Sequence, residues 1–302
     1  MSASSDSLKS IFFALGANFA IAIAKTVGAV FTGSSSMLAE AIHSYADCGN
    51  QGLLIWGLKE AKKAPTADHP LGYGKAIYFW SFIVALMLFS MGGLFSIYEG
   101  VHKLHDTEPV KYAGVAMAIL AFGVAAESVS LWGCLREINK GRGTQTLWQW
   151  FRRSRQSELI VVLGEDLAAL GGLVAALGFI GLAVLTGNPM WDAVGSIVIG
   201  VLLVVVAILV GTEVKSLLVG QSAEPTVLAA MRAHIAAQPE VAQIYNLLTQ
   251  QLGNDVMVAV KARMAPQPSD VALIDAINRV EAGLRTAFPS IRWIFFEPDL
   301  KD

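Results

Sequence analysis

The segment EAIHSYADCGNQ, residues 40–51, places several polar side chains inside an apolar stretch of the chain. His43 and Asp47 are four positions apart, so a helix would carry both on one face, one turn from each other. An imidazole nitrogen and a carboxylate oxygen at this spacing can bind one cation. Glu40 and Asn50 extend the same helical stripe. The segment therefore predicts one wall of a cation site.

Other apolar segments carry polar residues at a similar depth. An α-helix rises about 1.5 Å per residue, so position within a segment converts to depth in a bilayer. Asp166, Glu127 and Asn18 then fall near the depth of Asp47. Ionisable groups at such depth are costly and mark ion or proton pathways, whereas a single polar residue can also be a hydrogen-bonding contact between helices. The coincidence favours an ion site, with Asn18 as a structural contact and Glu127 open to either role.

The residue types indicate which ion would bind. His43, Asp47 and Asp166 together offer one nitrogen and several oxygen ligands. This set suits a divalent first-row transition metal, with zinc favoured by imidazole and tetrahedral geometry and with manganese and iron(II) admitted by the oxygens. Calcium and magnesium rarely take imidazole. Lys25, nearer the end of its segment, is expected to be paired or to extend to the membrane surface.

The composition predicts a membrane protein. Of 302 residues, 54% are hydrophobic and only 15% are charged, which is far from the balance of a soluble domain. The net charge of -2 and the lack of long basic runs argue against nucleic-acid binding. No HExxH, no GxSxG and no nucleophile beside a base occurs, so we predict no catalytic residue and no enzyme.

Hydropathy and charge predict the topology. A span takes about 20 mostly apolar residues, and basic residues concentrate after the second and fourth candidate segments, which predicts that both termini are cytoplasmic. The fold class expected is an α-helical membrane protein with a six-helix bundle over residues 1–215. The six predicted spans are 10–31, 35–57, 77–98, 112–135, 158–185 and 190–212.

A small cytoplasmic domain is predicted over residues 216–302. Prolines and short periodic segments replace the long apolar runs there. An α-β-β-α-β order indicates a ferredoxin-like α+β fold. The predicted elements are a helix at about 224–237, strands near 241–251 and 255–264, a helix at 270–287 capped by Ser269, and a strand at 291–297.

Several longer motifs extend along the chain: SSSMLAEAIHSYADCGNQ, DHPLGYGK, GEDLAALGG, DAVGSIVIG and LLVGQSAEP. Together they resemble the cation diffusion facilitator family over nearly the whole chain. The NQ after the second-segment Asp, the WQWFRRS before the fifth segment and the ED within it look like the branch of that family related to zinc transporter nine. This resemblance implies proton-coupled export of a divalent metal, six spans, a ferredoxin-like cytoplasmic domain and a homodimer.

The resemblance also implies a ligand set with a gap. The family site takes two ligands from the second span and two from the fifth, at positions i and i+4. His43, Asp47 and Asp166 match three of these positions, but Val162 stands at the fourth. Glu165, adjacent to Asp166, lies about 100° around the helix and cannot simply replace Val162. We predict that Glu165 is a nearby proton acceptor or a group that contacts the metal ligands, and that Asn50, Glu40 or a water fills the gap.

A weaker second site falls in the loop after the second segment. Asp68 and His69 occupy positions where some relatives bind a second metal, but Tyr73 stands where another His is common. A structural turn is the favoured interpretation.

Together these features predict proton-coupled efflux of a divalent cation, zinc first, from the cytoplasm through a multi-pass membrane protein, with the cell (inner) membrane as the expected location. The predicted partners are the metal, protons as the coupling ion, membrane lipid and a second copy of the chain; no resident cofactor is expected. Two alternatives remain open: a manganese, iron(II) or broad-range exporter that also takes cobalt and cadmium, or a membrane adaptor that binds metal without transporting it.

Overall fold

The computed structural model describes residues 3–105 and 110–301, with side-chain surroundings described from residue 18 onward. Long helices dominate, and a three-stranded sheet follows them. The helices are α1 Ala3–Thr32, α2 Ser35–Ala61, α3 Ala76–Met87, a π-helical segment Leu88–Leu94, α4 Phe95–Lys103, α5 Ala113–Gly141, α6 Leu147–Arg153, α7 Ser157–Thr186, α8 Met190–Val219, α9 Pro225–Ala236 and α10 Asp270–Ala287. The strands are β1 Val241–Leu252, β2 Asp255–Met264 and β3 Ile291–Pro298.

Among the residues whose side chains are described, four helices are long and apolar enough to cross a membrane. They are Ala76–Lys103, Ala113–Gly141, Ser157–Thr186 and Met190–Val219. The part of α1 with described side chains, Asn18–Thr32, is apolar as well, and α2, with its polar stripe, is not among the four. The protein is therefore a mostly helical membrane protein, while the count of six spans stays a prediction.

The chain divides into two compact units. The first, which we call the helical unit, comprises the residues up to Trp56 together with Trp80–Thr144 and Glu158–Glu213. The second, the sheet unit, comprises Gly57–Phe79, Gln145–Ser157 and the residues from Val214 onward.

The core of the helical unit is built from small and branched apolar side chains of several helices. Its members include Ala29 of α1, Met37 of α2, Leu120 of α5, Leu173 of α7 and Leu203 of α8. Each of these helices therefore buries one apolar face against the same core. The packing of that face also sets the direction in which the polar side chains of the helix point.

The N-terminus of α2 is held by a buried acid of α8. Ser34 caps the helix, because its Oγ accepts the backbone N–H of Met37 at 3.2 Å. Asp192 accepts the Ser34 hydroxyl at 2.7 Å and the Ser35 backbone N–H at 2.7 Å. A carboxylate at a helix N-terminus satisfies donors that the helix leaves free, so Asp192 fixes where α2 begins.

A π-helical segment, Leu88–Leu94, interrupts the third predicted span. Gly92 and Gly93 are buried in it. A Cβ at Gly93 would lie 3.2 Å from the carbonyl oxygen of Gly200, so only glycine lets this segment and α8 approach so closely. Such segments are rare and often lie at functional sites.

The sheet unit matches the element order predicted for the C-terminal residues. β1 pairs antiparallel with β2, and β2 pairs parallel with β3. Val258, Val260 and Leu284 are buried in its core. Ser269 caps α10 as predicted, because its Oγ accepts the Ala272 N–H at 3.2 Å. The short helix α6 was not predicted.

Candidate metal site

A cavity of about 60 Å³ in the helical unit collects the polar residues that sequence position put at one depth. A water needs only about 10–15 Å³ of such space, so the cavity has room for an ion together with water. Its lining comes from α1, α2, α5 and α7. The polar members are Asn18, Ser44, Asp47, Gln51, Glu127, Ser130, Glu165 and Asp166.

His43 and Asp47 lie side by side on α2, as the spacing predicts. The distance from His43 Nε2 to Asp47 Oδ2 is 3.6 Å. The His43 side chain is buried, and neither ring nitrogen has a hydrogen-bond partner among the described residues. His43 does not itself line the cavity, but Asp47 does. The imidazole thus keeps both nitrogens available for a proton or a metal next to a cavity carboxylate.

Asp166 reaches the same cavity from α7. Ser130 of α5 donates its hydroxyl to Asp166 Oδ1 at 3.0 Å. The other oxygen, Oδ2, has no hydrogen-bond partner among the described residues, and the same holds for Asp47 Oδ1. A buried carboxylate oxygen without a donor is costly unless a cation or a proton satisfies it. Each predicted carboxylate ligand therefore keeps one oxygen free.

The predicted ligands do not form a closed cage. Among residues 3–105 and 110–301, no three His, Cys, Asp or Glu side chains come together as a group that could hold a metal ion. Val162, one turn before Asp166, also lines the cavity and gives it an apolar wall at the position where the resemblance implies a fourth ligand. The geometry leaves room for water beside Asp47 and Asp166.

Glu165 and Asn50 bond to each other. Asn50 Nδ2 donates to Glu165 Oε1 at 2.5 Å and so connects α2 with α7. Glu165 lines the cavity, and Asn50 is buried with its Oδ1 lacking a partner in the described part of the chain. Glu165 is thus held beside the candidate ligands, and only the amide oxygen of Asn50 is available to a cation.

Glu40 is engaged elsewhere. Lys25 Nζ lies 3.1 Å from Glu40 Oε2, and both side chains have no exposed surface. The expectation that Lys25 is paired is confirmed, whereas a position at the membrane surface is wrong for a fully buried side chain. Glu40 is absent from the cavity lining, so in this arrangement it does not occupy the gap left by Val162.

The loop residues Asp68 and His69 lie in the sheet unit. His69 and Thr66 exchange backbone hydrogen bonds at 3.1 and 3.2 Å, and the His69 ring stacks on Tyr73 with 4.4 Å between ring centroids. These contacts form a turn, which agrees with the structural turn favoured from the sequence. A second metal at this loop stays a prediction.

Three residues that shape the helical unit were not predicted from the sequence. Ser130 lies three positions after Glu127 and Ser44 three positions before Asp47, so helical spacing alone could have placed both on the polar faces. Asp192 gave no such signal, since its partners are far away in the sequence.

Comparison with known proteins adds a family match and several relatives. The model of the cation efflux transmembrane domain matches residues 11–219. The Xenopus laevis protein named proton-coupled zinc antiporter SLC30A9, mitochondrial, is 35% identical over 232 residues, which is 76% of this chain and 41% of that protein. Metal tolerance protein C4 of Arabidopsis thaliana is 31% identical over 250 residues, or 82% of this chain and 54% of that protein.

A bacterial relative is less similar in sequence, but the match covers a larger share of its length. Zinc transporter ZitB of Escherichia coli (strain K12) is 23% identical over 269 residues, 89% of this chain and 81% of that protein. The match to the SLC30A9 relatives, by contrast, spans about two fifths of their length.

Proposed function

Because the chain belongs to the cation efflux family, we propose that it is a proton-coupled antiporter that exports a divalent transition-metal cation, with zinc as the first candidate. The observation that carries the proposal is a cavity lined by four helices, three of which contribute the carboxylates of Asp47, Glu127, Glu165 and Asp166. The names of the SLC30A9 and ZitB relatives support zinc.

Metal binding is assigned to His43, Asp47 and Asp166. Asp47 and Asp166 each hold an oxygen without a hydrogen-bond partner among the described residues, and His43 holds two such nitrogens. One nitrogen and two or more oxygens suit zinc and also admit manganese and iron(II). Water completes the coordination where Val162 provides no ligand.

Proton exchange follows from the same residues. A metal binds deprotonated carboxylates and neutral imidazole, so metal and protons compete for one site. Imidazole changes charge near neutral pH, which makes His43 suited to this exchange. Glu165, held by Asn50 beside Asp166, and Glu127 supply further carboxylates that take up protons when the metal leaves.

Movement of the site between the two membrane faces is assigned to rocking of helices around the cavity. We further propose six spans with both termini cytoplasmic, a ferredoxin-like domain over residues 216–302, and a homodimer. The cell (inner) membrane expected from the sequence finds no support in the SLC30A9 relatives, whose names place those proteins in mitochondria.

A second candidate is a membrane adaptor that binds metal without transport. It is favoured by one observation, the lack of a closed group of three ligands among the described residues. Metal binding without flux would support it.

The test uses the purified chain in vesicles with an acidic interior and a metal-sensitive dye inside. We expect zinc uptake that a protonophore abolishes. Asp47→Ala and Asp166→Ala should each lower the uptake rate by at least about tenfold, since groups at metal sites typically affect binding by 10- to 100-fold. The matched control is Asp275→Ala, an acid-to-alanine change at an exposed position of α10, which should leave uptake close to wild type. Undiminished flux in both cavity variants would contradict the proposal.

A further inference from the structure

A lysine buried among the helices is unusual enough to need a role. Lys25 of α1 has no exposed surface, and its Nζ donates to Glu40 Oε2 at 3.1 Å and to Ser44 Oγ at 2.8 Å. Both partners lie on α2, on the stripe that carries His43 and Asp47. Charged groups at membrane depth are retained where they serve a pathway or a partner. The pair ties α1 to α2 at the level of the candidate metal ligands.

Neighbouring helices make space for this pair. A Cβ at Gly172 of α7 would overlap Glu40 Oε1, and a Cβ at Gly123 of α5 would lie 3.6 Å from Lys25 Cε. Glu40 Oε1 has no hydrogen-bond partner among the described residues. The carboxylate is therefore enclosed by glycine backbone and depends on Lys25 for its charge compensation.

Glu40 also lies close to the candidate ligands. It precedes His43 by three residues, less than one turn, so the two side chains share a helix face. The Glu40 carboxylate is therefore a potential additional oxygen ligand for the metal. Its ion pair with Lys25 holds it away from that role.

We propose that Lys25 is a specificity-determining positioning residue: it binds Glu40 and so keeps a fourth, oxygen ligand out of the metal site. This inference rests on the proposed function. With Lys25 in place, α2 offers His43, Asp47 and the amide oxygen of Asn50 to the metal but not the Glu40 carboxylate, and water occupies the remaining position beside Val162. Without Lys25, Glu40 turns to the metal held by His43. An added carboxylate shifts preference toward oxygen-seeking ions such as manganese.

Two simpler roles predict different results. If Lys25 only contributes positive charge, its loss strengthens binding of every divalent cation alike. If the pair only stabilises the fold, breaking it by removing one partner leaves a buried unpaired charge and lowers stability, and the affinities for all metals fall together. Only release of a ligand changes the ratio of affinities between two metals.

The experiment measures equilibrium binding of Zn²⁺ and of Mn²⁺ to the purified full chain in detergent, for wild type and four variants. Lys25→Met should shift the ratio of the two dissociation constants toward Mn²⁺ by at least about tenfold, the lower end of what groups beside metal ligands contribute. Lys25→Arg, Glu40→Gln and the double variant K25M/E40Q should keep the wild-type ratio. The double variant is the matched control, since it lacks the same lysine but also the released carboxylate.

An unchanged ratio in Lys25→Met, or an equal shift in the double variant, overturns the inference. If Lys25→Met is unstable, thermal unfolding decides. Released Glu40 predicts that the rise in unfolding temperature caused by Mn²⁺, relative to the rise caused by Zn²⁺, is larger in this variant than in wild type. An unchanged relation between the two metals overturns the inference. Vesicle flux of the wild type is measured separately, so wild-type binding without flux would reject antiport while the binding ratio still tests Lys25.

Discussion

The carboxylates in and around the cavity differ in the hydrogen-bond donors that their oxygens already have within the protein. Asp47 Oδ1 and Asp166 Oδ2 have no hydrogen-bond partner in the described residues. Glu165 instead accepts from Asn50, and Glu40 from Lys25. Asp166 has only the neutral Ser130 hydroxyl as a donor, whereas Glu40 is paired with the cation Lys25 and does not line the cavity. Asp47 and Asp166 are therefore better placed than Glu40 to bind metal. Residue type alone could not make this distinction.

The apolar wall at Val162 gives a prediction about selectivity. Val162→His would place an imidazole at the cavity wall one turn from Asp166, at the position where the family resemblance implies a fourth ligand. Because imidazole and tetrahedral geometry favour zinc, we expect the variant to raise the preference for Zn²⁺ over Mn²⁺ by about tenfold or more. Vesicle uptake measured over zinc, manganese, iron(II), cobalt and cadmium checks this.

Val162→Leu is the control for that prediction, since it changes the shape of the wall without adding a ligand. It should keep the metal range of the wild type. An identical range in Val162→His would mean that this position does not face the bound ion.

At the scale of elements, the start of α2 depends on a residue of α8. Asp192 is buried and accepts hydrogen bonds from the Ser34 hydroxyl and the Ser35 backbone. The polar stripe of α2 faces α7 only if α2 begins at the right residue and is rotated correctly about its own axis. The cap by Asp192 helps to fix both the first residue and the rotation.

Asp192→Ala should therefore destabilise the helical unit. The substitution leaves buried donors unsatisfied, at a cost of about 1–3 kcal/mol each. We expect a lower free energy of unfolding in detergent and a weaker metal uptake. Asp275→Ala, a change at an exposed position of α10, is the control and should stay within about 0.5 kcal/mol of wild type. Equal stability of the two variants would contradict the role of Asp192.

Element order in the C-terminal residues was predictable because turns, caps and alternation are local signals. Ser269 caps α10 as expected. The π-helical segment was not predictable, because Leu88–Leu94 reads as an ordinary apolar run. Its geometry coincides with the close approach of Gly93 to Gly200, which lie far apart in the sequence.

At the scale of the whole molecule, ion pairs join elements that are distant in the sequence. In the sheet unit, Arg279 Nε of α10 donates to Glu240 Oε1 at 3.0 Å, just before β1. This hydrogen bond lowers the pKa of Glu240 below its ordinary value of 4.5. A carboxylate with a lowered folded-state pKa favours folding above the unfolded pKa and loses that contribution as pH falls through the folded value.

The pair predicts a measurable acid sensitivity of the sheet unit. The denaturant midpoint of the wild type should fall as pH drops below about 4.5, and Arg279→Ala should show a smaller dependence in that window. Denaturant titrations of the full chain, followed by Trp fluorescence at several pH values, check this. Arg232→Ala, which removes an exposed arginine of α9, should keep the wild-type dependence of the denaturant midpoint on pH. If Arg232→Ala reduces that dependence as much as Arg279→Ala does, the effect comes from net charge and not from the Arg279–Glu240 pair.

The sequence by itself determined the membrane class, the order of the C-terminal elements and the identity of the polar stripe on α2. These depend on local hydropathy, capping and a repeat of 3.6 residues per turn. Helical spacing also sufficed to place His43 beside Asp47, and depth along the helices sufficed to identify Asp166 as a candidate ligand.

Only the tertiary structure decided which of these groups remain free for an ion. Lys25 engages Glu40, Asn50 engages Glu165, and Ser130 engages one oxygen of Asp166. Each donor comes from a helix other than that of its acceptor, so the pairing follows from how the helices pack and rotate against one another. The availability of a ligand is a property of that packing, which no local pattern in the chain encodes.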